Sequence, residues 1–170
     1  MSRIAISASP VIDKSQLLAR LTRENNAAVI SDSSPRICKA YGFQTLYEIP
    51  GSLQIEVRAK LIASHLQDLR NSEDGIYAFS VFEFLADWMR WSWSYTTTEF
   101  WEQIVLQARQ CGELYDQVYH LSDGPLKEYD GYAWFDRRNA RQQNELIELL
   151  YNTYGVAGKV QRPENAGIVA

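Results

Sequence analysis

Short apolar runs alternate with longer amphipathic stretches along this chain. A short continuous run bounded by turn residues is typical of a buried strand, whereas apolar positions repeated every three or four residues are typical of a helix. The pattern predicts strands that begin at Ile4 and that cover 27–31, 76–81 and 116–122, with a weak fifth within 156–160. It predicts helices over 14–23, 36–41, 53–69, 82–95, 99–110 and 136–154.

This alternation predicts an α/β fold in which a sheet carries helices on both faces. The connection through helix 14–23 is expected to be a right-handed crossover, which makes the first two strands parallel. With 170 residues and 46% hydrophobic content, we expect a single domain over 1–160, followed by a frayed or loosely docked tail over 161–170. A functional site is then expected beyond the carboxyl ends of the strands, where 7–15, 78–81 and 123–141 converge.

Composition bears on whether the chain binds nucleic acid or metal and on where in the cell it is expected. The net charge is −4 and the basic residues are dispersed, so nucleic acid is disfavoured as a partner. The chain shows no signal-peptide pattern and no apolar stretch near ~20 residues, which predicts a cytoplasmic protein without a membrane span. Cys38 and Cys111 are expected to be reduced, buried thiols. His65 and His120 are the only histidines and do not indicate a metal site.

The first strand leads through Ala8-Ser9-Pro10-Val11-Ile12-Asp13 into Lys14-Ser15 and a helix. Strand, loop and helix form the context that the Walker A motif G-x-x-x-x-G-K-[ST] requires, but Ala8 and Asp13 stand where the motif has glycine. The Ala8 methyl group restricts a loop that must approach phosphate closely. A carboxylate ~5 Å from a phosphate charge costs roughly 3 kcal/mol at an effective dielectric near 20, about the attraction that Lys14 offers.

The order of elements resembles that of the P-loop nucleoside and nucleotide kinases, particularly the AAA-like group that includes the kinase domain of nicotinamide riboside kinases. The resemblance extends from Ile4 to about Val160. It depends on three stretches: Lys14-Ser15-Gln16-Leu17-Leu18, then Arg36 with Gly42-Phe43-Gln44-Thr45-Leu46, then Tyr115-Asp116-Gln117-Val118-Tyr119-His120-Leu121 ahead of Asp130-Gly131-Tyr132. It implies a three-layer P-loop kinase-like fold with about five parallel strands in the order 2-3-1-4-5, and a lid at about 123–141.

The resemblance also implies roles for the loop residues. Ser9, Lys14 and Ser15 would bind nucleotide, with Lys14 at the β- and γ-phosphates and Ser15 holding Mg²⁺ once nucleotide is bound. The alternative is that the Lys-Ser pair only starts a helix, with Lys14 in solvent. The cofactors implied are ATP and Mg²⁺ in the first case and none in the second.

Two further family features are changed in this chain. The acidic residue that ends the third strand in family members is missing from Ala78-Phe79-Ser80, and Glu83 and Asp87 are either displaced candidates for it or ordinary helix residues. The lid arginine expected after the Asp-Gly pair is replaced by Ala133 and Trp134. Arg137 and Arg141 are four residues apart on one helix face, so they are either its replacement or a solvated helix start.

Aromatic residues are concentrated in and after helix 82–95. Trp88, Trp91 and Tyr95 recur at spacings of three and four, which predicts a core face or an interface face. A base-stacking platform would need interleaved basic residues, and only Arg90 is present. The alternative to a core face is a contact with a protein partner or with a second copy of the chain in a homodimer, made by Trp88, Trp91, Trp93 and Trp101.

Three functions remain open from the sequence. The first is a degenerate P-loop kinase-like protein, acting as a nucleotide-binding or regulatory, partner-binding module with little or no phosphoryl transfer. The second is an active ATP-dependent kinase of a small nucleoside or nucleotide. The third is a structural interaction protein that uses its tryptophan-rich face.

Overall fold

The computed structural model describes residues 2–127, 137–154 and 156–163. The strands are β1 (Arg3–Ala8), β2 (Val29–Ile30), β3 (Gly75–Tyr77), β4 (Gln117–Leu121) and β5 (Val160–Gln161). The α-helices are α1 (Ser15–Asn25), α2 (Ser34–Ala40), α3 (Gly51–Asn71), α4 (Val81–Trp91), α5 (Thr98–Leu114) and α6 (Arg137–Thr153). Short 3₁₀ turns cover Leu46–Glu48, Trp93–Tyr95 and Ala157–Lys159.

The five strands form one parallel sheet in the order β2-β3-β1-β4-β5. The central strand β1 pairs with β3 on one side and with β4 on the other, so that Ile4 lies opposite both Ile76 and Gln117. The predicted α/β class and the predicted strand order 2-3-1-4-5 are confirmed. Because β1 is central, the loop that follows it emerges at the middle of the carboxyl edge.

Alternating residues of β1 contribute to two hydrophobic layers. Ala5 packs in the larger cluster, with apolar residues of α3, α4, α5 and α6. Ile4 and Ile6 pack on the opposite face with Leu17 and Leu21 of α1. Since side chains alternate across a strand, this arrangement gives the three-layer architecture and fixes α1 directly against the sheet.

Several element boundaries differ from those predicted. The strand expected over 76–81 ends at Tyr77, because Ser80 and Glu83 form a capping box that starts α4. The helix expected over 82–95 ends at Trp91 and is followed by the turn Trp93–Tyr95. Gly112, expected to end α5, lies inside it, and a Cβ there would come 2.8 Å from Val156 Cγ1. That glycine allows α5 to approach residue 156.

Part of the predicted lid lies outside the described residues. Asp130, Ala133 and Trp134 belong to this part of the lid, and the tail beyond residue 163 also lies outside the described residues. Among the residues that the structure does describe, no helix is both long enough and apolar enough to cross a membrane. Cys38 and Cys111 are buried free thiols, as predicted.

Candidate functional site

The loop between β1 and α1 is held by hydrogen bonds from its own backbone. The Ser9 N–H donates to Asn144 Oδ1 at 2.7 Å. The Ile12 N–H donates to the Ser9 carbonyl at 2.9 Å, and the Asp13 N–H donates to the Pro125 carbonyl at 2.8 Å. These three amides therefore have protein acceptors, whereas in a phosphate-binding loop backbone amides of this kind face the ligand.

Apolar side chains fill the inner side of the loop. Val11 and Ile12 are buried and pack with Ala8, Ala140 and Leu126. Ile12 also forms an antiparallel bridge with Leu126, next to the hydrogen bond from the Lys127 N–H to the Val11 carbonyl at 2.9 Å. The loop is thus packed against α6 and against the segment that follows β4.

Asp13 points towards the start of α1. Its Oδ1 accepts a hydrogen bond from the Ser15 N–H and its Oδ2 accepts one from Ser15 Oγ, both at 2.9 Å. The amino end of a helix attracts anions through its free N–H groups and its dipole. The Asp13 carboxylate occupies this position, which a phosphate would take in the family that the chain resembles.

Lys14 is buried, with 6% of its surface exposed. Its Nζ donates to Glu83 Oε2 at 2.5 Å and to the Ala78 carbonyl at 3.2 Å, and it lies 3.9 Å from the centroid of the Phe79 ring. The alternative that places Lys14 in solvent is therefore wrong. The ammonium group therefore lies next to the carboxyl end of β3.

Glu83 is the partner of Lys14 and is 2% exposed. Its Oε1 accepts a hydrogen bond from the Ser80 N–H at 3.1 Å, which also caps α4. Burial raises the pKa of Glu83 to about 7, although Lys14 and the Ser80 N–H act to lower it. Burial lowers the pKa of Lys14, although Glu83 acts to raise it. Glu83 is therefore not an ordinary surface residue of a helix.

Asp87 lies one turn further along α4 and forms a buried ion pair with Arg58 of α3. It borders a small cleft with Ser9, Arg90 and Gln143. The cleft has a volume of about 10 Å³, roughly the space for one water molecule. The side-chain oxygen Oε1 of Gln143 accepts a hydrogen bond from Arg90 Nη1 at 3.0 Å. Asp87 is thus close to the loop, but its carboxylate already has a cationic partner.

The two lid arginines lie in exposed ion pairs. Arg137 Nη1 is 3.3 Å from Asp123 Oδ1, and Arg141 Nε donates to Glu145 Oε1 at 3.0 Å. All four side chains are mostly exposed. The structure therefore places both arginines at the surface of the α6 start, whereas Lys14 and Glu83 are buried together.

A groove runs along α1 next to the loop. Its volume is about 470 Å³, which is within the range of small-molecule sites. One wall is the outer side of α1, and the other is formed by the turn after β4 and by Pro163 after β5. Its lining includes Asp13, Gln16, Leu17, Arg20, Arg23, Asp123 and Pro125. The sequence carries no local signal for this groove, because its walls come from three separated parts of the chain.

The predicted tryptophan face is only partly at the surface. Trp88 has no exposed surface and its Nε1 donates to Thr96 Oγ1 at 2.8 Å, so its assignment to an interface is wrong. Trp93 is 53% exposed and packs edge to face on Trp101, with ring centroids 5.1 Å apart. Trp91 is also exposed. A partner contact through Trp91, Trp93 and Trp101 remains a prediction.

Solved structures with the same fold were found by comparison. A crystal structure of NadR protein in complex with NR has a TM-score of 0.68 to this chain, with 15% identity over 98% of it. NadR protein in complex with NAD and AMP-PNP has a TM-score of 0.67, again with 15% identity over 98%. The chain shares the fold of these NadR structures. No family model and no curated protein matches it.

The extent of the match limits what it shows. This chain spans 44% and 46% of the lengths of the two NadR chains, and an identity of 15% shows the fold alone. The predicted P-loop kinase-like fold is confirmed. The chemistry has to be argued from Asp13, Lys14 and Glu83.

Proposed function

We propose that this chain is a kinase-like binding module that takes a nucleoside or nucleotide in the groove along α1 and performs little or no phosphoryl transfer. The observation that carries the proposal is the pairing of Lys14 with Glu83 inside the protein. In a P-loop enzyme the corresponding lysine holds the phosphates during transfer. Here the ammonium group has two acceptors within the protein before any ligand arrives.

Moving Lys14 to a phosphate would leave Glu83 without its cation. Breaking a buried ion pair on one side typically costs 3–5 kcal/mol, because a charge remains buried and uncompensated. A bound phosphate would have to provide this free energy in addition to its own desolvation. The geometry therefore supports a resting site in which Lys14 stabilises the fold.

Asp13 opposes a metal–nucleotide complex at the same place. Its carboxylate accepts both donors of Ser15, the backbone N–H and the hydroxyl that would face Mg²⁺. Phosphates at the start of α1 would meet this negative charge at short range. ATP with Mg²⁺ is thus a poorer fit to these residues than a ligand without a polyphosphate.

The groove gives the proposal its binding site. Leu17 and Pro125 offer apolar surface, whereas Gln16 and Ser122 offer hydrogen-bonding groups. Apolar walls with a few polar groups are typical of sites for small heterocyclic ligands. The two NadR structures, of which this chain spans less than half the length, contain NR in one case and NAD with AMP-PNP in the other.

The test is a binding titration with a variant that fills the groove. Ala19 lies exposed on α1 and lines the groove, so Ala19→Trp would occupy it without entering the core. Ala63 lies exposed on α3, outside the lining of the groove, and Ala63→Trp is the matched control. Calorimetry with a panel of nucleosides and nucleotides is expected to show saturable binding that Ala19→Trp weakens at least about tenfold, or 1.4 kcal/mol.

Two results would overturn the proposal. One is the absence of saturable binding for every member of the panel. The other is binding that the Ala19→Trp and Ala63→Trp variants reduce equally, because the ligand would then lie elsewhere.

A further inference from the structure

We infer that the site selects an unphosphorylated nucleoside over its 5′-polyphosphates, and that Asp13 and Glu83 are the residues that set this selectivity. The inference narrows the ligand class of the proposed function and depends on it for the groove. It starts from two carboxylates that already bind the groups a phosphate would need. Asp13 accepts hydrogen bonds from the Ser15 N–H and hydroxyl at the start of α1, and Glu83 is paired with Lys14.

The charges around Lys14 leave little attraction for an anion. Glu83 is its closest charged partner, and Asp32 and Lys127 act on it with opposite signs. Lys127 is exposed, with its Nζ 5.8 Å from the Phe79 ring, so solvent screens it more than the buried pair. A phosphate approaching the loop therefore meets one buried cation that is already neutralised.

The groove itself is balanced in charge. Asp13 and Asp123 lie near the loop end, whereas Arg20 and Arg23 lie further along α1. Asp123 pairs with Arg137 and Arg20 pairs with Glu24. A neutral ligand fits such a groove without leaving a charge uncompensated, whereas a polyphosphate at the loop end would face the Asp13 carboxylate. The Asp123 carboxylate is already paired with Arg137.

Ligand affinity across a phosphate series tests the inference. The probes are adenosine, AMP, ADP and ATP, together with inorganic tripolyphosphate, which contacts the loop without a base. For the wild-type chain we expect adenosine to bind at least about tenfold tighter than ATP, and tripolyphosphate not to saturate at millimolar concentration.

Two variants remove the charges in question. Asp13→Asn removes the negative charge and keeps one hydrogen-bond acceptor for Ser15, and Glu83→Gln removes the charge and keeps one acceptor for the Ser80 N–H.

In the variants the order is expected to change. Either substitution should improve ATP and tripolyphosphate binding about tenfold and leave adenosine within about twofold. Asp123→Asn is the matched control, because it removes one negative charge from the same groove away from the start of α1. Asp13 is partly exposed, so Asp13→Asn tests the inference even if Glu83→Gln does not fold.

Each outcome decides one of the two proposals. Tighter binding of ATP than of adenosine to the wild type overturns the selectivity but leaves the binding module intact. Tripolyphosphate saturation of the wild type overturns it as well, as does equal behaviour of Asp13→Asn and Asp123→Asn. If tripolyphosphate binds only the Asp13 and Glu83 variants and the nucleosides bind none, phosphate exclusion holds and the groove proposal fails.

Discussion

The Lys14 ammonium lies 2.5 Å from Glu83 Oε2, and both side chains are buried. Lys14 belongs to the loop after the central strand, and Glu83 belongs to the first turn of α4. The pair therefore joins the loop to the helix that follows β3. On the proposed function, Lys14 can approach a phosphate only by leaving Glu83.

Glu83→Ala is expected to destabilise the fold by about 3–5 kcal/mol, because Lys14 would remain buried without its partner and α4 would lose part of its capping box. Urea unfolding followed by tryptophan fluorescence measures this. Glu145→Ala, which breaks the exposed pair with Arg141, is the control and is expected to cost less than about 1 kcal/mol. Equal unfolding free energies for the two variants would contradict the stabilising role of the buried pair.

Asp13→Ala is expected to destabilise the chain by about 0.5–2 kcal/mol, the range typical of losing a side-chain acceptor at the start of a helix. The physical reason is that the Ser15 N–H and hydroxyl lose their acceptor at the start of α1. Asp13→Asn should retain most of the stability, since its amide oxygen still accepts. Thermal unfolding of the two variants side by side gives the comparison, and a larger loss for the asparagine variant would speak against a capping role.

The sequence predicted the strand order of the sheet, but it did not predict which side chains bind Lys14 and Ser15 at the end of the loop. The strands were predictable because apolar runs and their spacing can be read directly along the chain. Their order in the sheet followed from the family resemblance, to which Lys14-Ser15 contributes. The Lys14–Glu83 contact joins residues 69 positions apart, and no local pattern indicates which of two nearby acids faces the loop. Asp13 is different, since an aspartate two residues before a serine at a helix start is itself a turn signal.

Asn144 is expected to control the order of the loop. Its Oδ1 accepts from the Ser9 N–H and its Nδ2 donates to the Ser122 carbonyl at 2.8 Å, so one side chain joins the loop after β1 to the end of β4. Asn144→Ala should cost about 1–3 kcal/mol, because a buried N–H loses its acceptor. Hydrogen exchange at Ser9 should become faster than in the wild type. Unchanged protection of that amide would show that another group holds the loop.

Stability is expected to fall as the pH decreases from about 6.5 to 4. Burial lowers the pKa of His65 and the pKa of His120 to about 4, so in this window the unfolded chain binds protons that the folded chain does not. The Tyr115 hydroxyl accepts a hydrogen bond from the Val81 N–H and forms a second hydrogen bond with His65 Nε2 inside the core. Glu83 acts in the opposite direction between 4.5 and 7, since its pKa is raised.

Free energies of unfolding measured at pH 7, 5.5 and 4.5 test whether stability falls on acidification. On acidification the unfolded chain takes up two protons at the histidines, and the folded chain takes up one at Glu83. The difference of about one proton lowers the free energy of unfolding by roughly 1.4 kcal/mol for each pH unit. His65→Leu should be less stable than the wild type at pH 7, because the buried Tyr115 hydroxyl loses a hydrogen-bond partner, but it should lose less stability on acidification. A variant with the same pH slope as the wild type would contradict the assignment of a buried neutral His65.

The central claim is that Lys14 is committed to Glu83 and does not support phosphoryl transfer. The most direct measurement is phosphate release from ATP with Mg²⁺, alone and with a panel of nucleosides, by the purified wild-type chain and by Lys14→Ala. We expect neither protein to show turnover above the buffer rate. Sustained turnover by the wild type that Lys14→Ala abolishes would contradict it.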